Sequence, residues 1–399
     1  MSGERLAIDG GAPVRASLLP YARQDISDDD VAAVAAALRS DWLTTGPRVP
    51  AFEEALAAAT GARHAVAFSS GTAALHGAMA SLALAPGAEV LTTPMTFAAT
   101  ANAVLYVGAE PRFADVEPGS LLLDPGAVEA ALTPATRALA AVDYAGQPAD
   151  YAALRAVADA APGGPIPIVA DAAHSLGATR GGRRVGTLAD LTVLSLHPAK
   201  ILTTGEGGAV LTDDGDRAAF LRRFRNHGIG TELAARRDWT YAMVELGYNY
   251  RLTDVMAALG TSQLVRLDAF LASRRRLAAR YRAALADHWA VDLQAVASDA
   301  DPAWHLFVVL LRRDRLRVDR AAIYHALRAE GIGVNVHYIP VHRHPFYRAR
   351  YPDLEGRFLV AEAAYERLLT LPLFSAMTDD DVDDVVAALD KVTAAYRAG

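Results

Sequence analysis

The chain has 399 residues, 52% of them apolar, and a formal net charge of −7. Its length lies near the point where a single core stops growing, which predicts one large and one smaller domain, and the acidic balance argues against nucleic acid or an anionic membrane as the main partner. Cysteine is absent, which excludes disulfides, thiolate nucleophiles and Cys-ligated zinc or iron–sulfur centres and fits a cytoplasmic protein.

The opening MSGERLAIDGG has acidic residues and no apolar core, so no secretory signal is expected. The most apolar stretches, such as SLALAPGAEVL, are interrupted by Pro, Gly and Glu well before the length of a span, so no membrane span is expected either. Ser27 with Asp30 three residues on predicts the start of a helix over 28–40, with Val31, Val34 and Leu38 as its apolar face. The loop DWLTTGP follows, and its Trp42, Thr44 and Thr45 read as an exposed, functional segment. A helix around 50–59 and a strand over 64–68 come next. The chain then alternates: helix from about Thr72, strand 90–94, helix from about Ala98, an extended piece at 111–114, and strands at 137–142, 166–170 and 192–196. Helical patterns such as YAALRAVADA lie between them, so the reading is an α/β layer structure with a largely parallel sheet.

Beyond 250 the pattern changes. A helical stretch at 250–289 leads to a strand at 305–311, a helix at 319–330 and a strand at 334–338. Thr378 caps a last helix whose apolar face is Val382, Val385, Val386 and Leu389. The division expected is an N-terminal arm over 1–25, a large domain over 26–269 and a small α+β domain over 270–399.

Ligands of open α/β sheets gather outside the carboxyl ends of the strands. Four such ends carry unusual residues. Ser69-Ser70-Gly71-Thr72 leads from a strand into a helix; its backbone N–H groups and the Thr72 hydroxyl suit a phosphate, though the same residues make an ordinary cap. Phe97 either covers a flat ring or lies in the core. Asp171 ends a very apolar strand, where a carboxylate is costly unless it meets a cationic group such as a protonated pyridine nitrogen. The plainer reading makes Asp171 a helix cap and leaves His174 satisfied locally. Ser195 and Lys200 follow the fourth strand, ahead of the turn TTGEGG. Lysine occurs only at 200 and 391, and only an amine can form a Schiff base. A phosphate cup, an aromatic cover, a carboxylate and a lone lysine at the ends of one sheet are the inventory of pyridoxal phosphate binding.

The segments FSSGTAALHGAM, PMTFAATANAV, DAAHSLGA, SLHPAKILTTGEGGAV, FRNHGI and GYNYRLTDVMAALG occur in that order. Over nearly its whole length the chain resembles the DegT/DnrJ/EryC1/StrS family of sugar aminotransferases. The resemblance implies an α/β, aspartate-aminotransferase-like structure (fold type I), with pyridoxal 5'-phosphate as cofactor. It also implies a homodimer with shared active sites, acting on nucleotide-sugar and amino-acid substrates. Residue by residue, it makes Lys200 the Schiff-base lysine, Asp171 the partner of the pyridine nitrogen and His174 a neighbour of the ring oxygen. Gly71, Thr72 and Ser195 become phosphate ligands and Phe97 the aromatic on the ring. Asn249 is expected to reach the phosphate in the other subunit, with Arg251 beside it near the acids of the substrate. Some relatives are dehydratases with histidine in place of the lysine; Lys200 argues against that branch.

Within the family, SDWLTTGPRVPAFEEALA, VDYAGQPADYAALR and VHYIPVHRHPFY resemble one subgroup, with Asp143 where many members have His. That subgroup aminates C4 of a UDP-linked 4-keto-6-deoxy-N-acetylhexosamine, and Thr44, Arg251, His337 and Tyr338 are the corresponding candidates for substrate contact. Rival readings fare worse. No GxGxxG follows the first strand, as a nucleotide dehydrogenase would need, and no GxSxG marks a hydrolase. His337, His342 and His344 lack a cysteine or carboxylate to complete a zinc set, so no metal is expected. A regulatory protein that keeps the cofactor without turnover is the non-enzymatic alternative, and the intact Lys200, Asp171 and Ser195 count against it.

Overall fold

Seven strands form the main sheet of the computed structural model, which describes residues 5–230 and 239–399. They are β1 (His64–Phe68), β2 (Glu89–Thr92), β3 (Glu110–Phe113), β4 (Thr136–Val142), β5 (Ile168–Asp171), β6 (Leu191–Ser195) and β7 (Gly208–Thr212). Their spatial order is β1-β7-β6-β5-β4-β2-β3. The pairs from β6 through β5, β4 and β2 to β3 are parallel, whereas β7 is antiparallel to both β1 and β6. The sheet is therefore mostly parallel, as expected, with one reversed strand that the sequence reading had not identified.

Alternate residues of these strands enter different cores, because successive side chains of a strand point to opposite faces. Val66, Phe68, Val90, Ala138 and Ala140 pack with the Gly71–Ala80, Ala99–Tyr106 and Gly215–Phe224 helices. On the other face, Ala65, Ala67, Leu194 and Leu211 meet the Arg48–Thr60 and Asp254–Val265 helices. Leu91, Leu139 and Ala141 meet the Tyr151–Asp159 helix. Apolar on both faces, the strands read as near-continuous Ala/Val/Leu runs. Phe68, Asp171 and Ser195 end β1, β5 and β6, which point the same way, so all three emerge at one edge of the sheet.

A second sheet of three antiparallel strands, β8 (Val291–Leu293), β9 (Phe307–Leu311) and β10 (Leu368–Leu371), follows in that spatial order. Helices Leu267–Leu285, Arg320–Ala329 and Asp379–Ala395 supply most of its core, which also takes in Leu6 and Leu19. Thr378 caps the last helix through a capping box with Asp381, and Val382, Val385 and Leu389 are buried while Val386 is half-buried. No single helix among the described residues is long and apolar enough to cross a membrane.

Three expectations need correction. The first helix forms over Asp28–Leu38 with the capping box of Ser27 and Asp30, but Val31 and Leu38 are 59% and 58% exposed. What docks it is Asp30, fully buried, which accepts from Ser262, Gln263 and Arg266. The helical stretch at 250–289 breaks at Arg266 into Asp254–Val265 and Leu267–Leu285. No strand forms at 334–338. Asn335 makes a single bridge to Thr370, after which His337 bonds the Thr370 hydroxyl and the Tyr144 hydroxyl donates to the His337 carbonyl. Side chains take the polar groups that a ladder would have used.

Candidate active site

Asp171 is 6% exposed at the end of β5. Its Oδ2 accepts from the Thr100 hydroxyl at 2.6 Å and its Oδ1 from the Ala173 N–H at 3.2 Å. Burial pushes its pKa up, against the pull of Thr100, Ala173 and the positive charge of Lys200. Lys200 lies five residues beyond β6 on a turn closed by its own N–H to the His197 carbonyl at 2.8 Å. The Lys200 amine is 3.5 Å from Nε2 of His305, and burial lowers its pKa to about 8, with Asp171 opposing.

The aromatic residues of the C-terminal half close over this pair. Nε2 of His174 is 2.8 Å from the Tyr338 hydroxyl, and the His174 ring centroid lies 4.4 Å from that of His305. Nδ1 of His337 is 3.0 Å from the Thr370 hydroxyl, and burial, then Lys200, push its pKa down to about 4. Phe97 is 62% exposed with its ring 6.0 Å from Tyr338, so it is a rim residue facing the cluster and not part of the core.

The proposed phosphate end is built by close backbone approach. Gly71 opens the Gly71–Ala80 helix behind Ser70, whose hydroxyl accepts from the Ala73 N–H at 3.1 Å. A Cβ on Gly71 would sit 3.0 Å from Cβ and 3.1 Å from Oγ of Ser195. Ser195 Oγ therefore lies against the helix N-terminus, where backbone N–H groups and the helix dipole favour an anion. Thr72, half-buried, is the next residue in.

These residues fit pyridoxal phosphate. Nδ1 of His174 is buried with no hydrogen-bond partner among the described residues, as expected of a group that faces a polar ligand. A buried carboxylate, a perturbed amine and a hydroxyl at a helix N-terminus match a pyridine nitrogen, an aldehyde and a phosphate in turn.

Thr44, Asn249 and Arg251 are not part of this cluster in the single chain. Thr44 bridges to Thr253 and Asn249 to Asn226, while Nη1 of Arg251 donates to Asn226 Oδ1 at 2.9 Å. Arg251 lines a cavity of about 950 Å³ with Trp42, Arg222, Arg225 and Asn226, and Lys200, Asp171 and His174 are not on its wall. Asp143 is fully buried behind the site. It accepts from Ser175 at 2.5 Å, Tyr151 at 2.7 Å and the Ala149 N–H at 2.9 Å, and burial raises its pKa to about 6. It braces the exits of β4 and β5, with its own N–H donating to the Asp171 carbonyl at 3.0 Å. Of the three histidines, His337 meets the Thr370 hydroxyl, His342 pairs with Glu362 at 2.9 Å and His344 precedes the Pro345–Arg350 helix.

Two members of the cluster were not identified from sequence. Thr100 lies in the first turn of the Ala99–Tyr106 helix, four residues beyond Thr96 in the preceding loop, and the two hydroxyls meet at 2.7 Å. His305 showed only as the start of an apolar strand, and nothing local marked it.

The DegT/DnrJ/EryC1/StrS aminotransferase family matches residues 24–390. The spore coat polysaccharide biosynthesis protein SpsC of Bacillus subtilis is 39% identical over 380 residues, 94% of this chain and 97% of its own length. Among solved structures, Helicobacter pylori PseC, an aminotransferase involved in the biosynthesis of pseudoaminic acid, superposes with a TM-score of 0.90. It is 27% identical, and the match covers 95% of this chain and 100% of PseC. The PLP form of Spr1654 from Streptococcus pneumoniae gives a TM-score of 0.89 at 29% identity, covering 95% of this chain and 99% of Spr1654. The chain belongs to the DegT/DnrJ/EryC1/StrS family and is a pyridoxal-phosphate-dependent sugar aminotransferase of fold type I.

Proposed function

We propose that the chain moves an amino group from an amino acid, L-glutamate by preference, to C4 of a UDP-linked 4-keto-6-deoxy-N-acetylhexosamine. The product is UDP-4-amino-4,6-dideoxy-N-acetyl-beta-L-altrosamine or a close analogue. The observation that carries the chemistry is the buried Asp171–Lys200–His305 cluster at the strand ends; the likeness to PseC over 95% of the chain supports the sugar.

Pyridoxal phosphate, when bound, supplies an aldehyde that takes up amino groups and a ring that accepts an electron pair. Lys200 holds it by its amine. Once freed, Lys200 Nζ takes the proton from Cα of the amino donor and later delivers a proton to the sugar carbon that gains nitrogen. Asp171 holds a positive charge on the ring nitrogen. Gly71, Thr72 and Ser195 bind the phosphate, Phe97 covers the ring, and His174 lies beside the ring oxygen. His337 and Tyr338 meet the sugar. The protein works as a cytoplasmic homodimer in which Asn249 reaches the neighbouring subunit's phosphate and Thr44 and Arg251 meet the substrate bound there. It divides into an arm over 1–25, whose first four residues lie outside the described ones, a large domain over 26–269 and a small domain over 270–399.

The test is a panel of nucleotide-linked 3-keto and 4-keto sugars with L-glutamate, read by the mass change from ketone to amine. Product from the UDP-linked 4-keto-N-acetyl sugar, lost in Lys200→Ala, is the expected result. Turnover confined to 3-keto sugars would overturn the substrate assignment.

A further inference from the structure

Among the described residues, Lys200 Nζ has one side-chain neighbour within hydrogen-bond reach, Nε2 of His305 at 3.5 Å. The contact is long, as catalytic hydrogen bonds often are before substrate tightens a site. The imidazole itself is held firmly. The His305 carbonyl accepts from Nη1 of Arg274 at 3.3 Å, as do the Trp304 and Leu373 carbonyls at 3.1 and 3.0 Å. Ala303 N–H donates to the Gly146 carbonyl at 2.9 Å and Leu306 N–H to the Ala145 carbonyl at 3.2 Å. Trp304, with φ of 53°, sits in the left-handed region, and a Cβ on Gly146 (φ 103°) would lie 2.8 Å from the backbone nitrogens of Trp304 and His305. A strained residue persists only where its surroundings over-determine it, and these place the ring.

The groups facing His305 are Lys200, His174, Arg274 and His337, and the carboxylate that acts on Lys200 is Asp171. Burial, the largest cause, pushes the His305 pKa well down and keeps the imidazole neutral, with a single N–H. On Nδ1, that N–H would be a buried donor with no partner among the described residues. On Nε2, it points at Lys200 and leaves only an unmet lone pair behind, the cheaper of the two omissions. An Nε2–H can bond Nζ only if the amine is uncharged.

We propose that His305 is a positioning residue that donates its Nε2–H to the lone pair of Lys200 and so holds the lysine as a neutral, aimed amine. This rests on Lys200 being the reactive amine. It adds that a residue from the C-terminal half of the chain sets the charge state of that amine.

The test uses the full chain freed of cofactor. With ring-¹⁵N histidine, the His305 signal is assigned by its loss in a folded His305→Gln chain and is expected to show a protonated Nε2; a protonated Nδ1 overturns the proposal. With [ε-¹³C]lysine the chain gives two signals, since lysine occurs only at 200 and 391. Lys391, paired with Glu330 at 2.9 Å, is the internal reference. The Lys200 midpoint is expected near 8. In His305→Phe it is expected to rise by at least about half a pH unit, roughly a threefold loss of neutral amine, with Lys391 unmoved. A fall would mean that His305 accepts from an ammonium, and no change would make the contact incidental; both overturn the proposal. Product formation by the unmodified enzyme is scored separately, so the aminotransferase reading and the role of His305 fail independently.

Discussion

Thr100 donates its hydroxyl to Oδ2 of Asp171 at 2.6 Å, and Thr96 Oγ1 lies 2.7 Å from Thr100 Oγ1. Because the Thr100 proton is committed to the carboxylate, Thr96 must donate to Thr100 in turn. The relay runs from the loop that carries Phe97, through Thr96 and Thr100, to Asp171, the acid proposed to face the cofactor nitrogen.

Thr100→Val keeps the shape and removes the donor. A hydrogen bond to a charged group contributes about 1.5–3 kcal/mol, so kcat is expected to fall roughly ten- to a hundredfold. Asp171→Asn removes the charge itself and is expected to lower kcat by further orders of magnitude while cofactor stays bound. Turnover at saturating substrate orders the two variants. An Asp171→Asn enzyme as active as Thr100→Val would show that the carboxylate is only a structural cap.

The lowered pKa of Lys200, about 8, carries a sign that can be checked. Capture of pyridoxal phosphate by the cofactor-free chain needs the neutral amine. Its rate is expected to level off above that value and to drop about tenfold for each pH unit below it. Stopped-flow absorbance on either side of pH 8 reads this directly. A rate that still climbs toward an ordinary lysine midpoint would mean that burial does not act on this amine.

Gly71→Ala brings a methyl group to 3.0 Å from Ser195 Cβ and 3.1 Å from its hydroxyl. Ser195 must move away from the helix N-terminus, so cofactor affinity is expected to weaken about tenfold, the worth of roughly one hydrogen bond. Equilibrium titration with pyridoxal phosphate measures it. Unchanged affinity would take Ser195 out of the phosphate site.

The shared-site proposal is open to complementation. A Lys200→Ala chain mixed with an Asn249→Ala chain under subunit exchange should form mixed dimers with both lesions in one site and the other site intact. Activity should then exceed that of either parent. If dimers exchange and activity stays flat, Asn249 acts within its own chain, at the bridge it makes to Asn226.

Local signals were legible wherever local physics decides the outcome. The strand at His64–Phe68, the helix start at Ser27 with Asp30 and the helix cap at Thr378 form as read, since each depends on neighbours within a few residues. Lys200 and Asp171 stood out because an amine in a lysine-poor chain and a carboxylate ending an apolar strand are conspicuous without a structure. Direction was not legible: Gly208–Thr212 carries no sign that it runs against its neighbours. Nor was the docking of the first helix, where a buried aspartate outweighs an apolar stripe through partners at Ser262, Gln263 and Arg266. His305 escaped for the same reason, since its significance lies in a lysine 105 positions away.

That separation bears on how the enzyme comes into being. Lys200 meets His305 across 105 residues, His174 meets Tyr338 across 164, and Tyr144 reaches the His337 carbonyl across 193. Closing such loops is entropically unfavourable before the distant partners begin to stabilise each other, and chains rich in remote contacts fold slowly. In chain order Asp171 and Lys200 precede His305, His337 and Tyr338 by more than a hundred residues. Refolding chains should therefore recover helical signal first and the capacity to take up pyridoxal phosphate last.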